Sequence, residues 1–323
     1  MGKTIIVTGG CGYIGSHVAR AFKNADESNK VHLIDRVYRS HTMKGLNGFT
    51  CNDFAGPVGL SAIQDINPDV IVHCAGTSLV GPSMKDPGEY YNNNVSKTIQ
   101  MLNAIKDMDK KPTILFSSSA SVYGDPTKLP IDESHELNPI SPYGNTKRIV
   151  ETILSDYSNA YGINSVCFRY FNAAGAEPIN YDLGQEPGAT HIIARVLEAS
   201  FNRDIFTLNG TDYPTSDGTC IRDYIHVWDL ASAHLKAVDY VQNNPGAHIF
   251  NLGTNKGTSN KEIVNYVYRN YGFKSIEYGI RRSGDPAELI ADATKANNVL
   301  NWHPAYSNLT TIINSAYKWY CNR

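Results

Sequence analysis

The feature that most constrains the fold of this chain is a glycine-rich turn between a short strand and a helix. Residues 4–8, Thr-Ile-Ile-Val-Thr, are typical of a buried strand, and residues 16–23 have the composition of a helix. Between them lie Gly9, Gly10, Gly12 and Gly15. Glycine adopts backbone conformations closed to other residues and lets the main chain approach a phosphate at a helix N-terminus. The pattern predicts the first unit of a parallel α/β sheet with a phosphate-binding turn at Gly9, Gly12 and Gly15.

An acidic residue follows the next predicted strand. Residues 31–34 are apolar or β-compatible, and Asp35 comes directly after them. An acid about 20 residues beyond such a turn can accept hydrogen bonds from the ribose hydroxyls of NAD. Arg36, the next residue, could instead accept the 2′-phosphate of NADP. We expect NAD, with Asp35 and Arg36 both beside the cofactor.

Strand and helix patterns alternate through the first half of the chain and then become irregular. Further strands are predicted over residues 70–74, 112–116 and 163–171, and helices over residues 86–108 and 141–161. The strand over 70–74 leads into Cys74, Ala75 and Gly76, whose small size would let the backbone contact a cofactor. The alternation loosens after Asn172, and residues 248–253 resemble a strand that returns to the main sheet. The predicted fold class is α/β, a Rossmann-type doubly wound parallel sheet with a smaller C-terminal α/β substrate domain. Its predicted domains are residues 1–172, with the returning strand near 247–253, and residues 173–323.

A tyrosine and a lysine lie four residues apart in the predicted helix over 141–161. This spacing puts Tyr143 and Lys147 on one helical face. A phenol has a pKa of about 10, so Tyr143 is a poor base at neutral pH unless a nearby cation stabilises its phenolate. Lys147 can supply that cation and lower the pKa of Tyr143. Serine hydroxyls over residues 117–121 follow another predicted strand, at the sheet edge where ligands bind in such folds.

Composition excludes several classes of partner and site. Lys plus Arg is 29 against 31 for Asp plus Glu, so the net charge is −2 and no basic field for nucleic acid is expected. No 18-residue apolar run is present, and the chain enters a strand directly after its first residues, so we expect neither a membrane span nor an export signal. The six cysteines show no C-x-x-C spacing. Reduced thiols, a cytoplasmic location and no metal site are the predictions.

The motifs together resemble those of a known family. Thr8-Gly9-Gly10-x-Gly12-x-x-Gly15, the loop over 119–124, Ser141-Pro142-Tyr143-Gly144-x-x-Lys147 and Arg169-Tyr170-Phe171-Asn172 resemble the extended short-chain dehydrogenase/reductases. Within these, residues 90–95, 212–219, 222–227 and 281–285 are similar to the corresponding segments of the UDP-glucose 4-epimerases. The resemblance covers almost the whole chain.

This resemblance implies a reaction and a set of site residues. A bound NAD would take a hydride from C4 of a UDP-hexose and return it to the opposite face, with no net redox change. Tyr143 would remove the C4 hydroxyl proton, Lys147 would lower its pKa and hold the nicotinamide ribose, and Ser119 would hydrogen-bond the same oxygen. Implied contacts with NAD are Gly9, Gly12, Tyr13, Ile14, Gly15, Asp35, Arg36, Asp53, Phe54, Cys74, Ala75, Gly76, Asn94, Lys147, Tyr170 and Phe171. Implied contacts with the UDP-sugar are Ser119, Tyr143, Asn172, His191, Ile192, Leu208, Asn209, Arg222, Arg282, Asp285 and Leu289.

The resemblance also implies a homodimer, in which the helices over 86–108 and 141–161 pack against their symmetry mates. Three positions depart from the family pattern. Ser78 replaces a lysine near the cofactor, Asn209 replaces an aromatic residue in the uridine region, and Leu289 replaces the tyrosine or cysteine that lines the sugar pocket. Because Leu289 is intermediate in size, the choice between UDP-galactose and an N-acetylated UDP-hexose stays open.

Other functions remain possible at this point. A sugar-nucleotide 4,6-dehydratase shares the tyrosine and lysine but carries an Asp-Glu pair where this chain has Ala120 and Ser121. An NADP-dependent reductase rests on Arg36 alone. A UDP-GalNAc/GlcNAc 4-epimerase and a non-catalytic NAD-binding protein are the remaining alternatives.

Overall fold

A computed structural model describes residues 2–186, 188–281 and 285–323. Its strands are β1 (Thr4–Thr8), β2 (Lys30–Asp35), β3 (Gly48–Cys51), β4 (Val70–His73), β5 (Thr113–Ser119), β6 (Ser165–Tyr170), β7 (Asn172–Ala174), β8 (Ile205–Asn209), β9 (Ile221–His226), β10 (Ala247–Leu252), β11 (Gly257–Ser259), β12 (Ser275–Gly279) and β13 (Glu288–Leu289). Its α-helices are α1 (Tyr13–Ala25), α2 (Pro57–Ile66), α3 (Val80–Ser83), α4 (Pro87–Tyr90), α5 (Lys97–Ile105), α6 (Pro142–Tyr161), α7 (Ile192–Asn202), α8 (Val227–Asn243), α9 (Asn260–Tyr271), α10 (Thr294–Val299) and α11 (Leu309–Asn322).

A seven-stranded parallel sheet forms the centre of the molecule. Its strand order is β10-β6-β5-β4-β1-β2-β3. The part from β3 to β6 has the doubly wound order of dinucleotide-binding folds, which reverses direction between β1 and β4. The returning strand β10 pairs in parallel with β6 from Ala247 to Leu252. The predicted fold class is therefore confirmed.

Helices cover both faces of this sheet because its strands carry apolar side chains on each face. Ile5 and Val7 of β1 pack on one side with residues of α1 and α8, whereas Ile6 packs on the other side with residues of α2, α5 and α6. Both layers exclude solvent, so the sheet edge that carries the strand C-termini is held rigidly.

Two elements differ from the sequence prediction. Strand β3 was not predicted, and its Gly-Phe-Thr-Cys sequence is partly exposed at the sheet edge, where hydrophobic alternation is weak. The helix predicted over 86–108 runs from Pro87 to Ile105, but residues Tyr91–Ser96 form a π-helix between α4 and α5. Such a segment is rare and occurs frequently at functional sites.

Smaller sheets and three helices form a second layer of structure beyond residue 172. Strands β11, β9 and β13 form one sheet in which β7 also pairs with β9, while β8 pairs with β12. Helices α7, α9 and α11 enclose a separate hydrophobic cluster with β8. However, α8, Leu300 and Trp302 pack into the core of the large sheet. These later segments therefore contribute to the hydrophobic core of the seven-stranded sheet. The domain division at residue 172 stays a prediction.

Among the residues that the structure describes, no helix is long and apolar enough to cross a bilayer.

The turn between β1 and α1 gives a stability prediction. A Cβ on Gly15 would lie 2.3 Å from the Gly9 carbonyl oxygen, which belongs to rigid backbone. Gly15→Ala should therefore lower the free energy of unfolding by about 1 to 3 kcal/mol. Gly12→Ala is the matched control, because its Cβ would meet only the same oxygen at 3.1 Å. Urea denaturation measures both variants, and equal losses would contradict the steric explanation.

Candidate functional site

One large cavity opens at the C-terminal edge of the seven-stranded sheet. Its volume is about 1260 Å³, whereas a pocket for one small ligand has roughly 300 to 1,000 Å³. Predicted cofactor residues that line it are Gly9, Gly12, Tyr13, Ile14, Gly15, Asp35, Arg36, Asp53, Phe54, Cys74, Ala75, Gly76, Lys147, Tyr170 and Phe171. Predicted substrate residues that line it are Ser119, Tyr143, Asn172, His191, Ile192, Arg222, Asp285 and Leu289. The cavity therefore brings both predicted groups together and has room for two ligands.

The turn after β1 has the geometry that a dinucleotide requires. Gly9 has a φ of 67°, and a Cβ there would lie 2.7 Å from the Ala75 backbone nitrogen. Helix α1 begins at Tyr13, and its N-cap Gly12 offers no side-chain hydrogen bond to the first amides. These amides are available to an anion, which the helix N-terminus favours. The turn fits the pyrophosphate of NAD.

Asp35 is fixed at the end of β2. Its carboxylate accepts hydrogen bonds from the backbone nitrogen of Cys11 at 3.0 Å and of Val37 at 3.1 Å. Arg39 donates to the Cys11 carbonyl oxygen at 2.8 Å, so it braces the same turn. The carboxylate lines the cavity and can accept ribose hydroxyls, as NAD binding requires.

Lys97 is a cavity residue that the sequence analysis missed. Its Nζ lies 2.6 Å from Oδ2 of Asp53, and both side chains line the cavity. Burial raises the pKa of Asp53, but the hydrogen bonds from Lys97 and Ala55 and the nearby charges hold it below its usual value. No local sequence pattern marks Lys97, because its partner Asp53 lies 44 positions earlier in the chain. Lys97 supplies a cation to the same cavity that Ser78 lines, where the family pattern has a lysine in place of Ser78.

Asn94 does not line the cavity, although it was predicted to contact NAD. It is buried in the π-helical segment. Its Oδ1 accepts from the Thr77 backbone nitrogen at 2.7 Å, and its Nδ2 donates to Thr146 Oγ1 at 3.0 Å. Asn94 thus ties the loop after β4 to α6, immediately beside Lys147.

The proposed catalytic residues come from α6 and from the end of β5. Ser141 caps α6 by accepting a hydrogen bond from the Gly144 nitrogen, and Pro142 occupies its first turn, so the helix begins just before Tyr143. The Lys147 Nζ donates to the Ser117 carbonyl oxygen at 2.7 Å and lies 5.7 Å from the centre of the Tyr143 ring. Ser119 is the last residue of β5 and lines the same part of the cavity.

Burial controls the protonation of this pair. It raises the pKa of the Tyr143 phenol, and a hydrogen bond with Ser119 opposes that shift. The spacing of Tyr143 and Lys147 predicts a lowered pKa for the phenol, but in the protein alone desolvation of the phenolate outweighs the opposing hydrogen bond and the pKa is raised. Burial also lowers the pKa of Lys147 to about 8.

Two predicted uridine residues occupy a separate, smaller pocket. Leu208 and Asn209 line a space of about 60 Å³ that shares Ile192, Arg195 and Asp285 with the large cavity. The guanidinium of Arg222, which lines the large cavity, lies 3.7 Å from a carboxylate oxygen of Asp285, which lines both spaces. Arg282 lies outside the described residues. Arg195, which lines both spaces, was not predicted.

Potential metal ligands are dispersed. Among the residues the structure describes, no group of His, Cys, Asp or Glu side chains has the arrangement of a metal site. His73, which the cavity does not include, hydrogen-bonds Thr8 at 2.8 Å and Thr98 at 2.9 Å. Burial lowers its pKa to about 3, so it is a neutral core residue.

Comparison with known proteins agrees with this geometry. The family model described as NAD dependent epimerase/dehydratase matches residues 5–253. A UDP-glucose 4-epimerase from Halalkalibacterium halodurans is 40% identical over 324 residues, covering 98% of this chain and 95% of that protein. The crystal structure of UDP-glucose 4-epimerase from Brucella ovis in complex with NAD aligns with a TM-score of 0.91 at 38% identity, covering 98% of both chains. The UDP-Glc/GlcNAc 4-epimerase from Campylobacter jejuni aligns with a TM-score of 0.84 at 36% identity over 100% of both chains. This chain, with its nucleotide-binding turn and its Tyr143 and Lys147 pair in one cavity, belongs to the NAD dependent epimerase/dehydratase family.

Proposed function

We propose that the protein is an NAD-dependent 4-epimerase that interconverts UDP-galactose and UDP-glucose through a 4-keto sugar. The observation that carries this proposal is the common cavity, which contains Ser119, Tyr143 and Lys147 beside the nucleotide-binding turn. The chain is similar to UDP-glucose 4-epimerases over almost its full length, which supports the proposal. The reaction would belong to galactose metabolism in the cytoplasm.

The chain contributes proton transfer and orientation to this reaction. Tyr143 accepts the proton of the sugar C4 hydroxyl and later returns it, while Ser119 hydrogen-bonds the same oxygen. Lys147 stabilises the phenolate and binds the nicotinamide ribose. Its hydrogen bond to Ser117 fixes the ammonium between α6 and β5. NAD, when bound, would supply reversible hydride acceptance at the sugar C4.

The diphosphate of the substrate requires cations at the other end of the cavity. Arg222 is 9% exposed and lies at the cavity wall, where its guanidinium can bind phosphate oxygens. Asn172 donates to the Asp223 carbonyl oxygen at 3.2 Å, which connects the cavity to β9. In this proposal Leu208, Asn209 and Ile192 contact the uridine, and Arg282 supports the diphosphate.

The alternatives are less compatible with the residues present. A 4,6-dehydratase needs an additional acid and base, but the positions after Ser119 are Ala120, which is buried, and Ser121. NADP binding would use Arg36, but the Asp35 carboxylate lies at the same cavity edge and would repel a 2′-phosphate.

The central experiment removes the phenolic oxygen. Wild-type protein incubated with UDP-galactose and without added cofactor should yield UDP-glucose, and denaturation should release NAD. Tyr143→Phe should retain the fold and NAD but lose about 10²- to 10⁴-fold in kcat, because the general base is absent. Chromatography of the UDP-hexose products measures turnover by the wild type and by Tyr143→Phe.

Tyr157→Phe is the matched control for that experiment. Tyr157 lies on the same helix, and its hydroxyl donates to Asn103 at 2.9 Å outside the cavity. Its removal should leave kcat within about twofold of wild type, as for surface substitutions. Wild-type activity in Tyr143→Phe would refute the assignment, and release of NADP would favour the reductase alternative.

Substrate choice gives a separate prediction at Leu289. We place this residue of β13 beside the C2 substituent of the hexose, since it lines the cavity four residues beyond Asp285. Leu289→Tyr should suppress turnover of N-acetylated UDP-hexoses and spare UDP-galactose, whereas Leu289→Ser should do the reverse. Apolar size alone discriminates by about 1 to 3 kcal/mol, or roughly 10- to 200-fold in kcat/KM. An unchanged kcat/KM ratio across the three proteins would show that residue 289 does not contact the sugar.

We also propose a homodimer formed by the helix over 87–105 and by α6. Tyr91 and Asn145 join these helices by a 2.8 Å hydrogen bond, and both helices carry incompletely buried apolar residues, including Ile99 and Ile149. A second copy related by a two-fold axis can cover such a surface on both protomers.

A charge placed on this surface should separate the protomers. Ile149→Glu should reduce the mass measured by light scattering from that of a dimer to that of a monomer, because an unpaired charge would be buried. Val58→Glu is the control, since Val58 is 56% exposed and lies on α2, outside the two helices that form the proposed interface. A wild-type monomer at micromolar concentration would contradict the proposal.

A further inference from the structure

A buried ion pair lies directly behind the proposed catalytic residues. Glu151 is 5% exposed and Arg169 is 1% exposed. Arg169 donates from Nε to Glu151 Oε1 at 3.1 Å and from an η nitrogen to Oε2 at 2.7 Å. Ser118 donates its hydroxyl to Oε1 at 2.5 Å. The carboxylate is thus fixed by β5 and β6 while its own residue lies on α6.

The position of Glu151 connects it to each catalytic residue. Tyr143, Lys147 and Glu151 follow one another at four-residue intervals along one face of α6. Lys147 contacts the carbonyl oxygen of Ser117, Glu151 contacts the hydroxyl of Ser118, and Ser119 is next in β5. Helix α6 is therefore hydrogen-bonded to two adjacent residues of β5, Ser117 and Ser118.

We propose that Glu151 is a positioning residue of this active site, which fixes Ser119 and Lys147 relative to each other and supplies the negative charge that faces the buried Lys147 ammonium. This role is distinct from proton transfer by Tyr143 and from the contacts of Ser119 and Lys147 with substrate and cofactor. Two experiments test this role, and only the first, the pH profile of kcat, rests on the proposed epimerase activity.

The other groups around Lys147 do not provide that charge near neutral pH. Burial raises the pKa of Cys74 to about 11 and that of Cys167 well above its usual value, so both are neutral thiols. Burial lowers the pKa of His73 to about 3, which makes it neutral as well. Burial raises the pKa of Tyr143 and Tyr170. Burial lowers the pKa of Lys147, and a charge on Cys74 would oppose that shift more than Glu151 does, but this thiol is neutral near neutral pH. Among the described groups around Lys147, the carboxylate of Glu151 is therefore the remaining anion that raises its pKa.

Arg169 responds to the same carboxylate. Burial opposes its charge, but the hydrogen bonds and the charge of Glu151 raise its pKa. Arg169 also donates to the Tyr123 hydroxyl at 2.9 Å and to the Glu133 carbonyl oxygen at 3.4 Å, and the Tyr123 hydroxyl donates to Asn251 at 2.6 Å. Replacing either Arg169 or Glu151 therefore breaks the ion pair, but only the replacement of Glu151 removes the negative charge.

The experiment compares Glu151→Gln with Arg169→Gln. Lys147 must be protonated to act, so kcat falls as the pH rises through its pKa. Without the carboxylate that pKa drops, and the alkaline limb of the kcat profile for UDP-galactose should move down by about 1 pH unit in Glu151→Gln. Arg169→Gln breaks the same ion pair but keeps the carboxylate, and its alkaline limb should not move down.

Two results would overturn the proposal. If both variants lose kcat while their alkaline limbs stay in place, the network is only structural. If Arg169→Gln lowers the limb as far as Glu151→Gln, the charge of residue 151 is not the cause. Should either single variant fail to fold, the double variant Glu151→Gln/Arg169→Gln removes both charges of the ion pair and should still lower the limb.

A second readout separates this proposal from the proposed function. Lys147 binds the cofactor ribose, so NAD retained after dialysis at increasing pH should be lost at lower pH in Glu151→Gln than in wild type. This measurement requires no turnover. A wild type that converts no UDP-hexose would refute the epimerase function, and NAD retention alone would then decide the role of Glu151.

Discussion

The burial of a single lysine ammonium between α6 and β5 is the constraint on which the site depends. Desolvation makes the charged form of Lys147 costly, and the protein compensates with a carbonyl oxygen, a carboxylate and the rings of Phe116 and Tyr143, which lie 4.7 and 5.7 Å from its Nζ. The same water-free surroundings make the Tyr143 phenolate costly. Proton transfer therefore depends on neighbouring charges, which act strongly where solvent screening is weak.

Local sequence patterns predicted the parts of the protein that depend on local chemistry. The glycines before α1, Asp35 after β2, and Tyr143 and Lys147 at the start of α6 all lie where those patterns indicated. The prediction of β10 as a returning strand also held, because it pairs in parallel with β6 and buries Phe250 and Leu252. Each of these features is determined by the residues next to it in the chain.

Features that depend on distant residues were not predictable in the same way. Lys97 is an ordinary helix lysine until the fold brings it to Asp53, 44 positions earlier. Asn94 was expected at the cofactor but turns inward to Thr146, 52 positions later. The direction of the pKa shift of Tyr143 depends on burial, which no spacing of tyrosine and lysine reports. Helix α8 packs on the large sheet although it follows the predicted domain boundary.

The π-helical segment Tyr91–Ser96 determines how the two ends of its helix are rotated relative to each other. Successive residues of an α-helix are about 100° apart around the axis, so one additional residue within a turn changes which side chains face α6. Tyr90, just before this segment, donates to the carbonyl oxygens of Ser78 and Leu79 at 2.8 Å, and its ring lies 6.4 Å from that of Tyr143. Deleting one residue within 91–96 would rotate Tyr90 by about 100° relative to α5. The length of this helix is therefore as important to the site as its composition.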